Sequence, residues 1–194
     1  MSRARGDGYH ARMNNTMLRG IVGVFVVGFL SLSAPGQAQT EKVSLQAEVL
    51  KDWLGLKETM HKIAAEMPAD KYGVKPTPAQ QTFGERTVHV ATTNVYFLGL
   101  LGGTATKPAI DGKATGKDAA LKALDDSFDY GAAILKQQTD QTLLESVASA
   151  PAFMGPSSRA RIIAFLAGHT WDIYGQMAVY LRLNGHVPPA SQRM

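Results

Sequence analysis

Apolar residues recur every three or four positions over four long stretches of the chain, which is the spacing of one face of an α-helix. These stretches predict helices near residues 43–66, 78–101, 116–139 and 157–183. The β-branched residues follow the same spacing instead of alternating, so no run predicts a strand. An all-α four-helix bundle with antiparallel neighbours is the simplest architecture that buries four such faces.

Capping residues predict where the middle helices begin. Thr77, Pro78 and Gln80 supply a capping hydroxyl, a proline at the first helical position and an amide three residues after the cap. Thr115, followed by Asp118, is likewise predicted to cap the start of the third helix. The segment that links the third and fourth helices is predicted to be a loop that includes at most a short helical turn.

The N-terminal part of the chain has the pattern of a secretory signal. Arginines precede the twelve-residue apolar run IVGVFVVGFLSL at 21–32, and small residues follow it. Twelve apolar residues are too few to span a bilayer comfortably, although a retained anchor is the alternative. Gly36 and Ala38 fit the small residues before a cleavage point. We therefore predict a signal peptide at 1–38, a mature domain at 39–194 with no membrane anchor, and a periplasmic or secreted location.

Charge and cysteine content restrict the chemistry. The chain has a net charge of +4, but the predicted signal holds four arginines and one aspartate, which leaves +1 for the mature domain. A near-neutral domain offers no general basic surface, so we predict no nucleic-acid partner. The chain contains no cysteine. Packing alone must therefore stabilise the domain, and any metal site must use nitrogen and oxygen ligands.

Four histidines of the predicted mature domain are candidate ligands. His61, at a helix end, and His186, in the turn after the last helix, are interpreted as solvated surface residues. His89 and His169 lie on or beside the apolar faces of two helices that can face each other, which is where helix bundles build metal sites. The alternative for each of these two is a hydrogen-bonded histidine in the core.

A catalytic metal site needs three protein ligands and one open position, so two imidazoles are one ligand short. The position four residues after His169 shares its face, but Ile173 occupies it and cannot ligate. Asp172 is the nearest carboxylate on roughly that face and is predicted as the third ligand, with a solvated acid as the alternative. Glu58 and Glu85 are weaker options. With the two histidines, Asp172 would hold a divalent ion such as zinc, nickel or iron weakly.

Other motifs for catalysis are missing from the sequence. Axial ligation of haem by Met60 and His169 would suit a four-helix protein, but no C-x-x-C-H attachment motif is present. The sequence also lacks the G-x-S-x-G turn of serine hydrolases and a glycine-rich phosphate loop.

Two blocks of sequence resemble the DinB-like superfamily, damage-inducible four-helix proteins related to bacterial thiol-dependent transferases. The blocks are MPADKYGVKPTPAQQTFGERTVHVATTN at 67–94 and IYGQMAVYLRLNGHVPPAS at 173–191. The resemblance implies an up-down-down-up bundle in which three histidines hold a divalent metal that activates a thiol or water nucleophile. His89 matches the first of these histidines and His169 the second. Ile173 stands at the third, so that ligand is missing.

Two functions are compatible with these observations. The first is an exported metal-dependent enzyme, a hydrolase or thiol transferase, whose small-molecule substrate the sequence does not identify. The second is a bundle without catalysis that binds a small apolar molecule or a protein partner, because Ile173 places an apolar wall where a ligand would be. A homodimer is compatible with both. In either case we expect His169 to point towards His89.

Overall fold

The computed structural model describes residues 43–192 of the chain. The predicted signal peptide lies outside these residues. Five α-helices are present in the described part: α1 Leu45–Glu66, α2 Phe83–Gly99, α3 Lys117–Lys136, α4 Asp140–Leu144 and α5 Arg159–Leu183. Residues 43–192 contain no strand, and their one isolated β-bridge joins Ser146 and Ser158. The all-α prediction is confirmed for this part of the chain.

Hydrogen bonds at both ends of α1 show that it runs antiparallel to α3. Gln46, near the start of α1, donates from Nε2 to the carbonyl oxygen of Leu135 near the end of α3, at 2.9 Å. Lys117, the first residue of α3, donates from Nζ to the carbonyl oxygen of Ala65 near the end of α1, at 2.6 Å.

In contrast, α2 and α3 run parallel. Gly84, at the start of α2, packs against the backbone of Thr115 just before α3. Beyond the other end of α2, the backbone nitrogen of Thr104 donates to Oε1 of Gln137, the residue after α3, at 2.8 Å. Residues 100–116 form the long crossover that a parallel pair requires. The prediction of antiparallel neighbours throughout was wrong for this pair.

The last long helix, α5, runs antiparallel to α2. Tyr180, near the end of α5, donates its hydroxyl to the carbonyl oxygen of Gln81 just before α2, at 2.7 Å. Arg159, which begins α5, donates from Nε to the carbonyl oxygen of Leu101 just after α2, at 3.1 Å. The order of the four long helices is therefore up, down, down, up, as the family resemblance implies.

The start of α2 differs from the prediction. The helix begins at Phe83 and not at 78, and Thr82 is its N-cap. The hydroxyl of Thr82 accepts from the Glu85 backbone, and the Glu85 carboxylate accepts from the Thr82 backbone, which makes a complete capping box. The segment from Thr77 to Gln80 forms only a turn, in which the backbone nitrogen of Gln80 donates to the carbonyl oxygen of Thr77. Both capping patterns are present in the sequence, and the complete one, that of Thr82 and Glu85, forms the start of α2.

The ends of α3 also correct the prediction. The N-cap is Gly116, which makes no side-chain capping bond, so Thr115 is not the cap. The helix ends at Lys136, and Thr139 then caps the separate short helix α4 through a second capping box. The observed bounds of α1 and α5 lie within two residues of the prediction.

The core is a layer of apolar side chains between the four long helices. Trp53 of α1 reaches across it, donating from Nε1 to the carbonyl oxygen of Phe128 on α3 at 2.9 Å. Its indole lies so close to Gly131 that a Cβ atom there would be 2.5 Å from the ring. The largest fully buried side chains are Phe83, Phe128, Met60, Ile63, Met67, Leu98, Leu101, Leu124, Ile134, Leu135, Leu143 and Ile162. In the part of the chain that the structure describes, no helix has the length and apolar character needed to cross a bilayer.

Candidate metal centre

The antiparallel contact of α2 with α5 brings two histidines together. The Nε2 atoms of His89 and His169 are 3.1 Å apart, and the rings meet edge to face with centroids 5.1 Å apart. Each histidine directly precedes a fully buried residue, Val90 on α2 and Thr170 on α5. Both imidazoles are therefore half-buried at the edge of the core. The expectation that His169 points towards His89 is confirmed.

Burial favours the neutral form of both imidazoles. It lowers the pKa of His89, and the neighbouring charges of His169 and Arg86 lower it further. Burial also lowers the pKa of His169, against an opposing effect of the Asp172 carboxylate. Two neutral imidazoles can share one hydrogen bond in which one Nε2 donates and the other accepts. Neutral imidazole is also the form that ligates metal ions.

The lowered pKa values predict how stability changes with pH. The unfolded chain binds protons at these histidines near the ordinary pKa of 6.5, whereas the folded chain binds them only at lower pH. Their contribution to the free energy of unfolding is therefore complete above pH about 6.5 and is lost as the pH falls below it. Between pH 8 and 5, the free energy of unfolding measured with urea should fall less for the double variant His89→Gln, His169→Gln than for the unsubstituted protein. An equal loss in both proteins would contradict this expectation.

The predicted third ligand, Asp172, does not join the histidine pair. Its side chain is exposed, and its Oδ2 accepts from Nε2 of Gln176 at 2.8 Å. Three residues after His169 the helix has turned by about 300°, which leaves Asp172 on the solvent side of that histidine. Across residues 43–192, no three His, Cys, Asp or Glu side chains are close enough together to hold a metal ion. Asp172 acts on the site only through its charge.

The other candidate residues lie elsewhere. Glu85 caps its own helix, and Glu58 pairs with Lys62 on α1. His61 is exposed, as predicted, and its Nδ1 lies 3.0 Å from Oδ1 of Asp125, a partner that the sequence did not indicate.

Ile173 occupies the position at which the family resemblance implies a third histidine. Only 2% of its surface is exposed, and it lies four residues after His169 on the same face of α5. Its side chain therefore contributes an apolar wall beside the imidazoles. The remaining histidine, His186, lies in the turn after α5 as predicted, and it is half-buried, so it is less solvated than its interpretation as a solvated surface residue implies.

Arg86 is a further charged residue near the histidine pair, and it was not among the residues predicted from the sequence. Its Nε donates to the hydroxyl oxygen of Tyr180 at 3.3 Å, and its guanidinium lies 5.9 Å from the centroid of that ring. Tyr180 is 2% exposed and is anchored by its own hydroxyl, so it holds the arginine in place. A signal was present in the sequence, because a residue three positions before His89 shares its helix face.

The separation of the imidazole nitrogens suits a shared ion. Two imidazole nitrogens at about 2.0–2.1 Å from an ion, with a tetrahedral angle between them, lie about 3.3 Å apart. The observed separation is 3.1 Å. His89 and His169 thus fit as two ligands, and no further protein ligand accompanies them among the described residues.

Comparison with known proteins places this geometry in a family. A family model described as the DinB family matches residues 38–193. This chain belongs to the DinB family. The resemblance seen in the two sequence blocks is therefore confirmed, and it extends over the whole described domain.

Solved DinB-like structures share the fold. A DinB-like protein from Bacillus cereus superimposes with a TM-score of 0.62 at 18% identity, covering 75% of this chain and 96% of that one. A DinB-like protein from Bacillus subtilis gives a TM-score of 0.58 at 20% identity, covering 76% of this chain and 99% of that one. At these identities the likeness concerns the fold alone. A search of curated proteins found no match.

Proposed function

We propose that this DinB-family protein binds a divalent transition-metal ion through Nε2 of His89 and Nε2 of His169, and that it is a metal-dependent hydrolase or thiol transferase. The observation that carries the proposal is the 3.1 Å approach of these two atoms at the edge of the core. The signal-like pattern of residues 1–38 supports an exported protein.

The residues around the ion would set its properties. A bound zinc, nickel or iron ion would act as a Lewis acid that lowers the pKa of a water molecule or thiol. The two histidines would hold it, and Ile173 would keep one side of the site apolar. Positions without a protein ligand would be open to water or substrate, so we expect weaker binding than at a three-histidine site.

Equilibrium dialysis of untagged protein against zinc and nickel tests this proposal. We expect one ion per chain, and loss of that ion in both His89→Ala and His169→Ala, because either change removes half of the protein ligands. His61→Ala, which removes an exposed histidine on α1, is the matched control and should still bind one ion. Absence of a stoichiometric ion, or binding that survives both substitutions, would reject the metal site.

A groove between α1 and α5 favours a second candidate, the binding of a small apolar molecule without catalysis. The groove has a volume of about 600 Å³. On the α5 side three alanines leave this space open, Ala160, Ala164 and Ala167, opposite apolar residues of α1 such as Val49. Such binding needs no metal, so a double histidine variant that still binds an apolar fluorophore in this groove would support it.

A further inference from the structure

The solvent-facing edge of the α2–α5 contact carries exposed aromatic rings next to the histidines. Successive ring centroids are 5.0 Å apart for Tyr96 and Phe97, 5.2 Å for Phe97 and Phe165, and 5.7 Å for Phe165 and Phe153. We call these four residues the aromatic ladder. Tyr96 is 52% exposed, Phe165 39% and Phe153 71%, so three of the four rings are in contact with water. Phe97 is only 6% exposed and is the buried ring that joins Tyr96 to Phe165. Surfaces of this kind mark binding sites more often than single exposed apolar residues do.

The aromatic ladder leads directly to the histidine pair. Phe165 precedes His169 by four residues, so the two side chains are neighbours on one face of α5, about 6 Å apart along the axis. Phe97 contacts Phe165 from α2, the helix that also carries His89. A molecule lying on the ladder would therefore extend towards the two imidazoles.

On the other side of the pair lies a positive charge. Arg86 precedes His89 by three residues, about 4.5 Å along the axis of α2. Its Nε is used by Tyr180, whereas Nη1 and Nη2 donate no hydrogen bond to any residue from 43 to 192. Arg86 also forms no ion pair within that range. The two Nη atoms have the geometry that binds a carboxylate through parallel hydrogen bonds.

The other charge near the pair is on the opposite helix. Asp172 lies on the exposed side of α5 and is hydrogen-bonded by Gln176, so it does not neutralise Arg86. A carboxylate of a ligand would therefore be attracted to the α2 side of the site and repelled from the α5 side. This arrangement fixes an orientation for an elongated molecule.

We infer that the substrate of the proposed site is an amphipathic monoanion, whose aryl or alkyl part lies on the aromatic ladder and whose carboxylate binds Arg86, with the reacting atoms at His89 and His169. This inference rests on the proposed function, because it names the substrate class of the same site. The backbone positions of Phe165 and Arg86 are about 10 Å apart along the helices, on opposite sides of the histidine pair, so the ligand needs a chain of several carbons between its ring and its carboxylate.

Calorimetric titration of the protein without metal, in a chelating buffer, tests the inference with 6-phenylhexanoate as the probe. Two comparison compounds are 6-phenylhexylamine, which reverses the charge, and phenylacetate, which is too short to reach both subsites. We expect 6-phenylhexanoate to bind at least about tenfold more tightly than either, because hydrogen bonds to charged groups are strong. Equal affinity for the acid and the amine would overturn the inference.

Substitutions locate the two subsites. Arg86→Gln should abolish the preference for the acid over the amine, Arg86→Lys should retain part of it, and Phe165→Ala should weaken both long compounds. The matched control is Arg182→Gln, which removes an exposed arginine in the last turn of α5 and should change nothing. Unchanged selectivity in Arg86→Gln would contradict the assignment. The assignment would also be contradicted if the protein sedimented as a dimer and Phe165→Ala dissociated that dimer, because the ladder would then be a contact between two copies.

Dialysis against zinc separates this inference from the proposed function. Phe165→Ala retains both histidines and the charge of Arg86 and should bind zinc like the unsubstituted protein, and Arg86→Gln, which also retains both histidines, should still bind one zinc ion per chain. If zinc fails to bind but 6-phenylhexanoate binds selectively, the metal function is wrong and the ligand site stands. If zinc binds but selectivity is absent, the ligand class is wrong and the metal site stands.

Discussion

Replacing Ile173 with histidine is expected to tighten zinc binding by about 100-fold or more, because it supplies the third imidazole that the site lacks. Position 173 shares a helix face with His169 and is 2% exposed, so the new side chain would begin inside the site. Isothermal titration with zinc at pH 7.5, in competition with a chelator of known affinity, measures the change.

The same substitution should have opposite effects on stability without and with metal. Without zinc, loss of a buried isoleucine and burial of a polar ring should reduce the free energy of unfolding by about 2–4 kcal/mol. With zinc in excess, binding to the folded state should recover that loss. Val179→His, at a 49% exposed position of the same helix, is the control and should change neither quantity. An Ile173→His protein that binds zinc no more tightly than the original would show that the two histidines do not form a metal half-site.

Gly131→Ala is expected to destabilise the fold by about 2–3 kcal/mol, with no direct effect on the histidine pair. A Cβ at this position would lie 2.5–2.6 Å from three atoms of the Trp53 indole. The ring would have to move, and the hydrogen bond from its Nε1 to the carbonyl oxygen of Phe128 would weaken. Chemical denaturation monitored by circular dichroism measures the loss.

Gly55→Ala is the matched control for this change. Gly55 is also inside a long helix, but it is exposed and nothing lies within 4 Å of a Cβ built on it. Alanine there should stabilise the fold by about 0.5–1 kcal/mol, because it has the higher helix propensity. Equal effects of the two substitutions would mean that the indole does not depend on the space that Gly131 leaves.

The spacing of apolar residues was sufficient to predict the long helices and to place both histidines on or beside the faces that pack against the core. His89 and His169 each adjoin a residue that the core buries, and a helix face fixes the direction of a side chain to within a fraction of a turn. Local sequence determines these properties. The chain's place in the DinB family was also recognisable from the two sequence blocks at 67–94 and 173–191, and the family model that matches residues 38–193 confirms it.

Two features of the fold were not predicted because they depend on contacts between parts of the chain that are distant in sequence. The start of α2 at Phe83 depends on packing, since its backbone nitrogen donates to the carbonyl oxygen of Val74 and the Gly84 nitrogen to that of Tyr72. The parallel pair of α2 and α3 depends on the path of the crossover at 100–116, which has no periodic pattern.

The surroundings of the histidine pair were the least predictable part of the site. Asp172 is close to His169 in sequence, but the turn of the helix directs it to solvent. Arg86 was not identified because its place depends on Tyr180, which lies 94 residues later in the chain. The aromatic ladder joins Phe153, in the segment before α5, to residues of two helices, and such a cluster exists only in the folded chain.

A crystal grown with zinc and measured at the zinc absorption edge tests the central claim most directly. We expect an anomalous peak between the imidazoles, about 2.0–2.1 Å from Nε2 of His89 and from Nε2 of His169. A crystal of His169→Ala grown in the same way should lack that peak. Absence of a peak between the two imidazoles, with zinc found only at surface groups such as His61 and Asp125, would contradict the claim that this pair is a metal site.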